Sequence, residues 1–350
     1  MNDLEQRVDR AVGRFVTDRT PGCALLLAKG GQVLYRKGCG MADPERGVPA
    51  GADDNFIIAS NTKQFACLAT LMLRDRGLLS LDEPIERFFP DFPDYRKTIT
   101  VRMLMTHTSG IREYFENADA AEKDRLRTAE TADVLDLIRG FGGALGFAPN
   151  TAWSYCNSGF VMLGDIVRQL TGKPFGRFVE TEIFTPLGMG ASRAPDDMSA
   201  RDPRQVPGFV ETQPGVFERQ PYDMLLVGYA DGNISSNVDD LLRWHHFLFE
   251  TDGAPLVKPG TLREMFAPHR LADGRDIHYA LGWFLGPMEA QQRGYPGHRE
   301  IWHTGSVPGF ISRVSRFPDD GVSAILLTNW DGIARDELYF AVLDELFRGE

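Results

Sequence analysis

Hydrophobic and polar positions follow three different patterns along this chain, and their order predicts its architecture. Over residues 2–18, apolar residues recur at helical spacing among charged ones, which predicts an amphipathic helix. Two apolar runs, 23–30 and 32–43, are separated by a Gly-Gly turn and predict a β-hairpin. The chain therefore opens with a helix followed by two strands.

The long middle of the chain is mainly helical by the same criterion. Between residues 190 and 223 it carries five prolines and little periodicity, which predicts a long surface excursion. The helices that periodicity and end signals predict cover 60–76, 100–107, 128–140, 157–172, 174–184, 239–249 and 258–265.

The last segment changes to β-branched and aromatic residues. Strands are predicted within 279–286, 300–318 and 322–330, and a final helix over about 334–348. This order favours an α/β (α+β) fold with one antiparallel sheet built from both chain ends and flanked by the terminal helices. Residues 1–58 plus 278–350 would form the sheet domain, and 59–277 a mainly helical insertion. We expect the active site in the cleft between them.

Charge and composition exclude several classes of function. The net charge is −11 and no basic run is long enough to follow a phosphate backbone, so we expect no nucleic-acid partner. No stretch reaches the length of a membrane span, and the N-terminal segment lacks the features of a signal peptide. We therefore expect a cytoplasmic protein without a membrane partner, unless an exported precursor has been trimmed. The oligomeric state is left open.

Neither cysteines nor histidines show the spacing of a metal site. The four cysteines are scattered, and the seven histidines include no H-E-x-x-H pattern. Buried cysteines are usually packing residues, and we interpret these in that way. The sequence predicts no metal and no cofactor.

Ser60 and Lys63 provide the first candidate chemistry. Three residues apart at a helix start, they lie on one face, so the Lys63 amine is within reach of the Ser60 hydroxyl. Burial lowers the pKa of a lysine, and such a lysine can take the proton of a nucleophilic serine. The alternative is an ordinary serine cap beside a surface lysine, and this pair alone does not decide between them.

Two further stretches contain candidate site residues, and for each of them the sequence also allows a purely structural role. Tyr155 and Asn157 are two apart in an extended loop and point the same way, although a buried tyrosine and a capping asparagine would look identical. His303, Thr304 and Gly305 lie in a predicted strand. Glycine within a strand often marks close approach of another backbone, and an extended ligand could pair there. A strand end followed by a turn is the alternative.

Taken in order, S-x-x-K, Y-x-N and H-T-G resemble the serine β-lactamase and penicillin-binding-protein superfamily. The similarity is greatest to the branch of class C β-lactamases, D-Ala-D-Ala carboxypeptidases, D-aminopeptidases and related esterases. It covers the chain from about residue 10 to the C-terminus and implies the β-lactamase/transpeptidase-like fold. Other matching stretches are LMTHTSGI at 104–111, LTGKPF at 170–175, PLGM at 186–189, DGNISSNVDDLLRW at 231–244 and SRFPDDGVSAILLTN at 315–329.

The resemblance implies a serine hydrolase that works through an acyl-enzyme. Ser60 would be the nucleophile, Lys63 its general base, and Tyr155 the residue that passes a proton to the leaving group. The substrate would be bound by Asn157, His303, Thr304, Gly305 and Ser306. Backbone N–H groups of Ser60 and Ser306 would form the oxyanion hole.

His303 departs from the pattern of most β-lactamases of the superfamily, which have a lysine at this position, whereas some carboxypeptidases and peptidases of the branch have a histidine. A histidine is largely neutral at pH 7 unless its pKa is raised, which weakens the case for substrates that carry a carboxylate. If His303 must be protonated, activity on anionic substrates would fall between pH 6 and pH 8. Small ester, amide or D-amino-acid substrates are therefore favoured over β-lactams.

Alternative functions remain open from the sequence. A true β-lactamase, a non-catalytic or acylation-only ligand-binding module, and a structural relative could share the fold. His107 is interpreted as a turn residue, and Asp231 receives no catalytic role. The 190–223 excursion, with Phe209, Phe217 and Tyr222, either covers the cleft or has no part in the site.

Overall fold

A computed structural model of the chain describes residues 3–126, 129–195, 202, 204–221, 230–286 and 294–348. Its α-helices are α1 (Asp3–Val12), α2 (Thr62–Asp75), α3 (Val101–Met105), α4 (Tyr114–Asn117), α5 (Ala120–Leu126), α6 (Thr131–Gly140), α7 (Asn157–Thr171), α8 (Phe175–Val179), α9 (Thr185–Leu187), α10 (Val238–Glu250), α11 (Thr261–Met265) and α12 (Arg335–Phe347). Its strands are β1 (Cys23–Lys29), β2 (Gln32–Cys39), β3 (Met41–Asp43), β4 (Val48–Pro49), β5 (Phe56–Ile57), β6 (Phe209–Gln213), β7 (Val216–Arg219), β8 (Ser235–Ser236), β9 (Phe284–Leu285), β10 (Ile301–Val307), β11 (Phe310–Phe317) and β12 (Val322–Thr328).

The central sheet combines strands from the two ends of the chain. Its order is β2-β1-β12-β11-β10-β9, and every pairing described between these neighbours is antiparallel. Cys23 of β1 lies opposite Thr328 of β12, which lies in turn opposite Ile311 of β11. The predicted sheet from both chain ends is thus confirmed. The exact division into residues 1–58 plus 278–350 and 59–277 stays a prediction.

Both faces of the sheet are covered, which explains the continuous apolar runs. On β1, Leu26 faces the large core shared with the helical middle, whereas Leu25 and Leu27 face a second core under α1 and α12. β12 alternates in the same way, with Ile325 on one face and Leu326 on the other. A strand buried on both faces needs apolar residues at every position.

Glycines with positive φ make several elements shorter than predicted. The second strand ends at Cys39 because Gly40 has φ of 74°, and β3 then pairs with β4 instead. In the predicted strand 279–286, Gly282 and Gly286 have φ of 79° and 74°, so only β9 is regular. The first helix also ends early, at Val12 rather than near residue 18.

The stretch 190–223, predicted as a long surface excursion, is mostly exposed or half-buried where it is described, but it is neither irregular throughout nor entirely at the surface. Part of it forms the hairpin of β6 and β7, and Phe209 at its start is fully buried. Phe217 packs edge-on against the ring of Trp330, with centroids 5.2 Å apart. Tyr222 lies outside the described residues.

Among the helices that the structure describes, none combines the length and apolarity needed to cross a membrane.

Candidate active site

Ser60 lies in a tight turn that leads into α2. Ala59–Asn61 form a 3₁₀ turn, so the α-helix begins two residues later than predicted. Ala59 has φ of 48°, a conformation that costs a residue with a side chain about 1–3 kcal/mol. Lys63 Nζ lies 3.1 Å from Ser60 Oγ. The structure therefore brings together the two residues that the S-x-x-K spacing singled out.

Lys63 is fully buried, and its amine has three oxygen partners. Nζ lies 2.7 Å from Asn157 Oδ1 and 2.7 Å from the backbone carbonyl oxygen of Asp231, in addition to Ser60 Oγ. Burial lowers the pKa of Lys63 to about 8, while the charges of Asp231 and Glu113 act in the opposite direction. A neutral amine can donate to the carbonyl and the amide oxygen and keep its lone pair for the Ser60 proton. This geometry suits a general base.

Glu113 fixes the orientation of Asn157, and sequence reasoning did not find it. Its largely buried carboxylate accepts hydrogen bonds from the backbone N–H of Asn157 and from Asn157 Nδ2, the latter at 3.2 Å. Because Nδ2 is directed to Glu113, Oδ1 must face Lys63. Burial raises the pKa of Glu113, and the hydrogen bonds from Asn157 oppose that shift.

Tyr155 contributes a buried hydroxyl beside the serine. Burial raises its pKa well above the usual value, although the neighbouring Ser60 hydroxyl acts in the opposite direction. The phenol is therefore neutral at pH 7. Lys63 Nζ lies 4.9 Å from the centroid of its ring. A neutral phenol can donate a proton, so Tyr155 suits the role of an acid toward a leaving group better than that of a base.

Gly305 of β10 packs against the turn that carries Ser60. A Cβ atom added there would collide with the carbonyl oxygen of Ile58 and with Ser312 Oγ. What approaches the Cα of this glycine is therefore the protein's own backbone, and the pairing of an extended ligand with this strand edge stays a prediction. Ser312 Oγ donates to the Ile58 carbonyl at 2.8 Å and accepts from Asn61 Nδ2 at 2.8 Å. These contacts join the serine turn to the sheet.

His303 is almost completely buried on β10. Burial, followed by the charge of Lys63, lowers its pKa to about 3. With this pKa His303 is neutral across the physiological range, so the fall in activity between pH 6 and pH 8 that a required protonation would cause is no longer expected. Thr304 is buried beside it, whereas Ser306 near the end of the strand is exposed. The oxyanion-hole role of the Ser60 and Ser306 N–H groups stays a prediction.

Several residues that complete the site carry no motif of their own. Asp231 acts through its backbone carbonyl, and its carboxylate accepts a hydrogen bond from Tyr114 at 3.2 Å. Such roles depend on contacts between segments that are distant in the chain, so no local sequence pattern predicts them. Among the described residues, no group of histidine, cysteine and carboxylate side chains is arranged to hold a metal ion.

Comparison with known proteins gives the same direction as the geometry. The family model described as Beta-lactamase matches residues 8–346. Penicillin-binding protein 4* of Bacillus subtilis is 30% identical over 87% of this chain and 67% of its own length. Esterase EstB of Burkholderia gladioli is 29% identical over 93% of this chain and 90% of its own. A D-aminopeptidase of Gluconobacter oxydans is 28% identical over 93% of this chain, but the chain spans only 58% of that relative.

The fold is shared with solved structures as well. The octameric penicillin-binding protein homologue from Pyrococcus abyssi superposes with a TM-score of 0.82 at 25% identity, covering 99% of this chain and 77% of that one. The family model spans nearly the whole chain, and the motif residues lie close together. The chain belongs to the Beta-lactamase family.

Proposed function

We propose that this chain, a serine hydrolase of the β-lactamase family, forms an acyl-enzyme at Ser60 with Lys63 as the general base. The observation that carries the proposal is the buried amine of Lys63, which lies 3.1 Å from Ser60 Oγ and has a pKa lowered to about 8 by burial. Near neutral pH a fraction of this amine is unprotonated and free to accept a proton. An ordinary surface lysine would be almost entirely cationic.

The reaction proceeds in two halves. Lys63 takes the proton of Ser60 as Oγ attacks the substrate carbonyl carbon, and the resulting oxyanion is stabilised by the backbone N–H groups of Ser60 and Ser306. The intermediate collapses as Tyr155 donates a proton to the leaving group, which departs and leaves acyl-Ser60. Water then attacks the acyl carbonyl as the Tyr155 phenolate takes its proton, and Lys63 returns its proton to Ser60 Oγ as the bond to the acyl group breaks and the acid product leaves, so both side chains regain their starting states.

Small esters, amides and D-amino-acid or peptide derivatives are the proposed substrates. The names of two relatives, an esterase and a D-aminopeptidase, support this class. The neutral His303 also supports it. Strand β10, which we call the strand wall of the site, lacks at this position the permanent charge that a lysine would bring to a substrate carboxylate. A true β-lactamase, which would act on carboxylate-bearing substrates, is less well supported on the same ground.

The test is covalent labelling. Wild type, Ser60→Ala and Ser80→Ala are treated with a fluorophosphonate and analysed by intact mass and peptide mapping, Ser80 being an exposed serine outside the cleft. We expect one adduct, on the peptide that contains Ser60, in wild type and Ser80→Ala but not in Ser60→Ala. Folded wild type without an adduct on Ser60 would contradict the proposal and favour a non-catalytic binding module.

A further inference from the structure

Four hydrogen bonds connect the Tyr155 loop to the strand wall through three buried side chains. The backbone N–H of Cys156 lies 3.0 Å from His107 Nδ1, and His107 Nε2 lies 3.2 Å from Tyr279 Oη. Tyr279 Oη lies 3.2 Å from His303 Nε2, and His303 Nδ1 lies 2.6 Å from the carbonyl oxygen of Thr304. We call this chain of contacts, from Cys156 to Thr304, the relay.

The two ends of the relay determine the direction of every bond in it. A backbone N–H can only donate, so His107 Nδ1 carries no proton and its Nε2–H donates to Tyr279. A carbonyl oxygen can only accept, so His303 Nδ1 carries a proton and its Nε2 is free to accept. Tyr279 therefore receives a hydrogen bond from His107 and donates its own to His303.

Protonation at His303 would break this pattern. Its Nε2 would become a donor, and the Tyr279 hydroxyl proton would lose its acceptor in a fully buried position. A buried donor left without a partner costs about 1–3 kcal/mol. Protonation of His107 is opposed in the same way, because its Nδ1 would then face the N–H of Cys156.

The surrounding charges act in the same direction as the hydrogen bonds. The charged groups that influence His303 are Lys63 on α2 and Arg335 at the start of α12, and both disfavour a second cation. The charge of Lys63 also lowers the pKa of His107, in the same direction as burial. The relay also contacts the acid of the proposed mechanism, since the His107 and Tyr155 rings have centroids 4.3 Å apart.

We propose that His107 and Tyr279 are positioning residues that hold His303 as the neutral Nδ1–H tautomer, so that the strand wall presents no cation to the substrate. The inference rests on the proposed function for its effect on substrates. The tautomer itself does not depend on that function. His107, interpreted from sequence as a turn residue, does adopt a turn-like φ of 60°, but it also begins the side-chain part of the relay.

The direct test is the protonation state of His303 by NMR. Histidine ring nitrogens are labelled with ¹⁵N, long-range ¹H–¹⁵N correlations are recorded from pH 5 to pH 8, and His303→Gln identifies the signal. In wild type we expect a protonated Nδ1, an unprotonated Nε2 and no titration. In Tyr279→Phe, Nε2 loses its donor, so we expect a second tautomer or uptake of a proton at higher pH.

Tyr35→Phe is the matched control, because Tyr35 also loses a hydroxyl hydrogen bond, to Asp9, but belongs to the core on the other sheet face. It should leave the His303 signal unchanged. Cationic His303 in wild type at pH 7 would overturn the inference, as would the Nε2–H tautomer. A His303 signal in Tyr279→Phe identical to that of wild type would overturn it too.

A second readout measures the effect on substrates. The thioester of N-acetyl-D-alanine with thioglycolic acid and its methyl ester differ only by one carboxylate, and both release a thiol on hydrolysis. We expect wild type to prefer the methyl ester in kcat/KM. The preference should fall about tenfold or more in His303→Lys, and fall in Tyr279→Phe as the pH decreases to 5.5. Labelling of Ser60 without any preference would overturn the inference alone, whereas absence of labelling would contradict the proposed function.

Discussion

Lys63 on α2 and His303 on β10 are both buried in the candidate active site, and burial is the largest influence on both of their pKa values. The same physical effect gives two different results. The pKa of Lys63 falls from 10.5 to about 8, which makes a base available near neutral pH. The pKa of His303 falls from 6.5 to about 3, which removes the side chain from titration. Desolvation thus makes Lys63 available as a base and keeps His303 uncharged.

The neighbours of each group increase this difference. Lys63 has two acidic residues near it, Asp231 and Glu113, whose charges limit the fall in its pKa. The charges that influence His303, those of Lys63 and Arg335, deepen the fall. Two side chains that are both almost fully buried can therefore differ in their titration. Lys63 exchanges a proton near neutral pH, whereas His303 stays neutral.

Removal of the base should have the largest effect on activity. Lys63→Met keeps an unbranched side chain but has no amine, and we expect kcat/KM to fall about a hundred- to ten-thousandfold. Wild-type kcat/KM should increase with pH through about 8, because the unprotonated amine is the reactive form, and this limb should vanish in the variant. Lys97→Met, at a half-exposed lysine paired with Asp94, should behave as wild type. An unchanged pH profile in Lys63→Met would show that another group is the base.

Disruption of the contact between Gly305 and the turn that carries Ser60 should have the second-largest effect on activity. In Gly305→Ala the new methyl group meets the Ile58 carbonyl, so β10 or the Ser60 turn must move. We expect kcat to fall about a hundredfold, as for loss of an oxyanion-hole donor, together with a lower melting temperature. Gly140→Ala is the control, because a Cβ there meets open space. Full activity in Gly305→Ala would mean that this close approach does not position the serine.

Loss of the charge on Glu113 should have a smaller effect. Glu113→Gln replaces an acceptor of the Asn157 amide by a group that can also donate, so the Asn157 side chain is free to rotate. Since Lys63 then loses a fixed partner, we expect kcat to fall about tenfold, with KM changing less. Glu116→Gln, at an exposed residue of α4, the helix that begins just after Glu113, serves as the control. Equal kcat values for the two variants would remove Glu113 from the positioning of Asn157.

The parts of the site that sequence could predict are those that depend on local geometry. Ser60 and Lys63 are related by one helical turn, and α7 begins at Asn157, close to the predicted start. The order of helices and strands likewise follows from periodicity, because each element is patterned within its own length.

The remaining parts depend on contacts between segments far apart in the chain. Glu113 meets Asn157 forty-four residues later, and Tyr279 joins His107 to His303. Gly305 carried a correct signal of close approach, but only the folded chain shows that Ile58 is what approaches. The neutral state of His303 has the same origin, since it results from burial by several elements rather than from its neighbours in sequence.

The smallest expected effect is a change in pH dependence when one acidic neighbour of Lys63 is removed. Asp231→Asn preserves the backbone carbonyl that Lys63 contacts, and its side chain can still accept a hydrogen bond from Tyr114. The Asp231 charge raises the pKa of Lys63, so its removal should lower that pKa further below about 8. The ascending limb of kcat/KM should then move to lower pH by about half a unit to one unit.

At pH 7 more of the amine would be unprotonated in Asp231→Asn, and we expect activity there to rise up to a few-fold or to stay level. Asp136→Asn, at an exposed carboxylate on α6, should leave the profile in place. A shift to higher pH would mean that Asp231 does not act on Lys63 through its charge. A shift to lower pH would strengthen the contrast between Lys63 and His303. The pKa of Lys63 would then depend on a single nearby charge, while His303 stays neutral throughout.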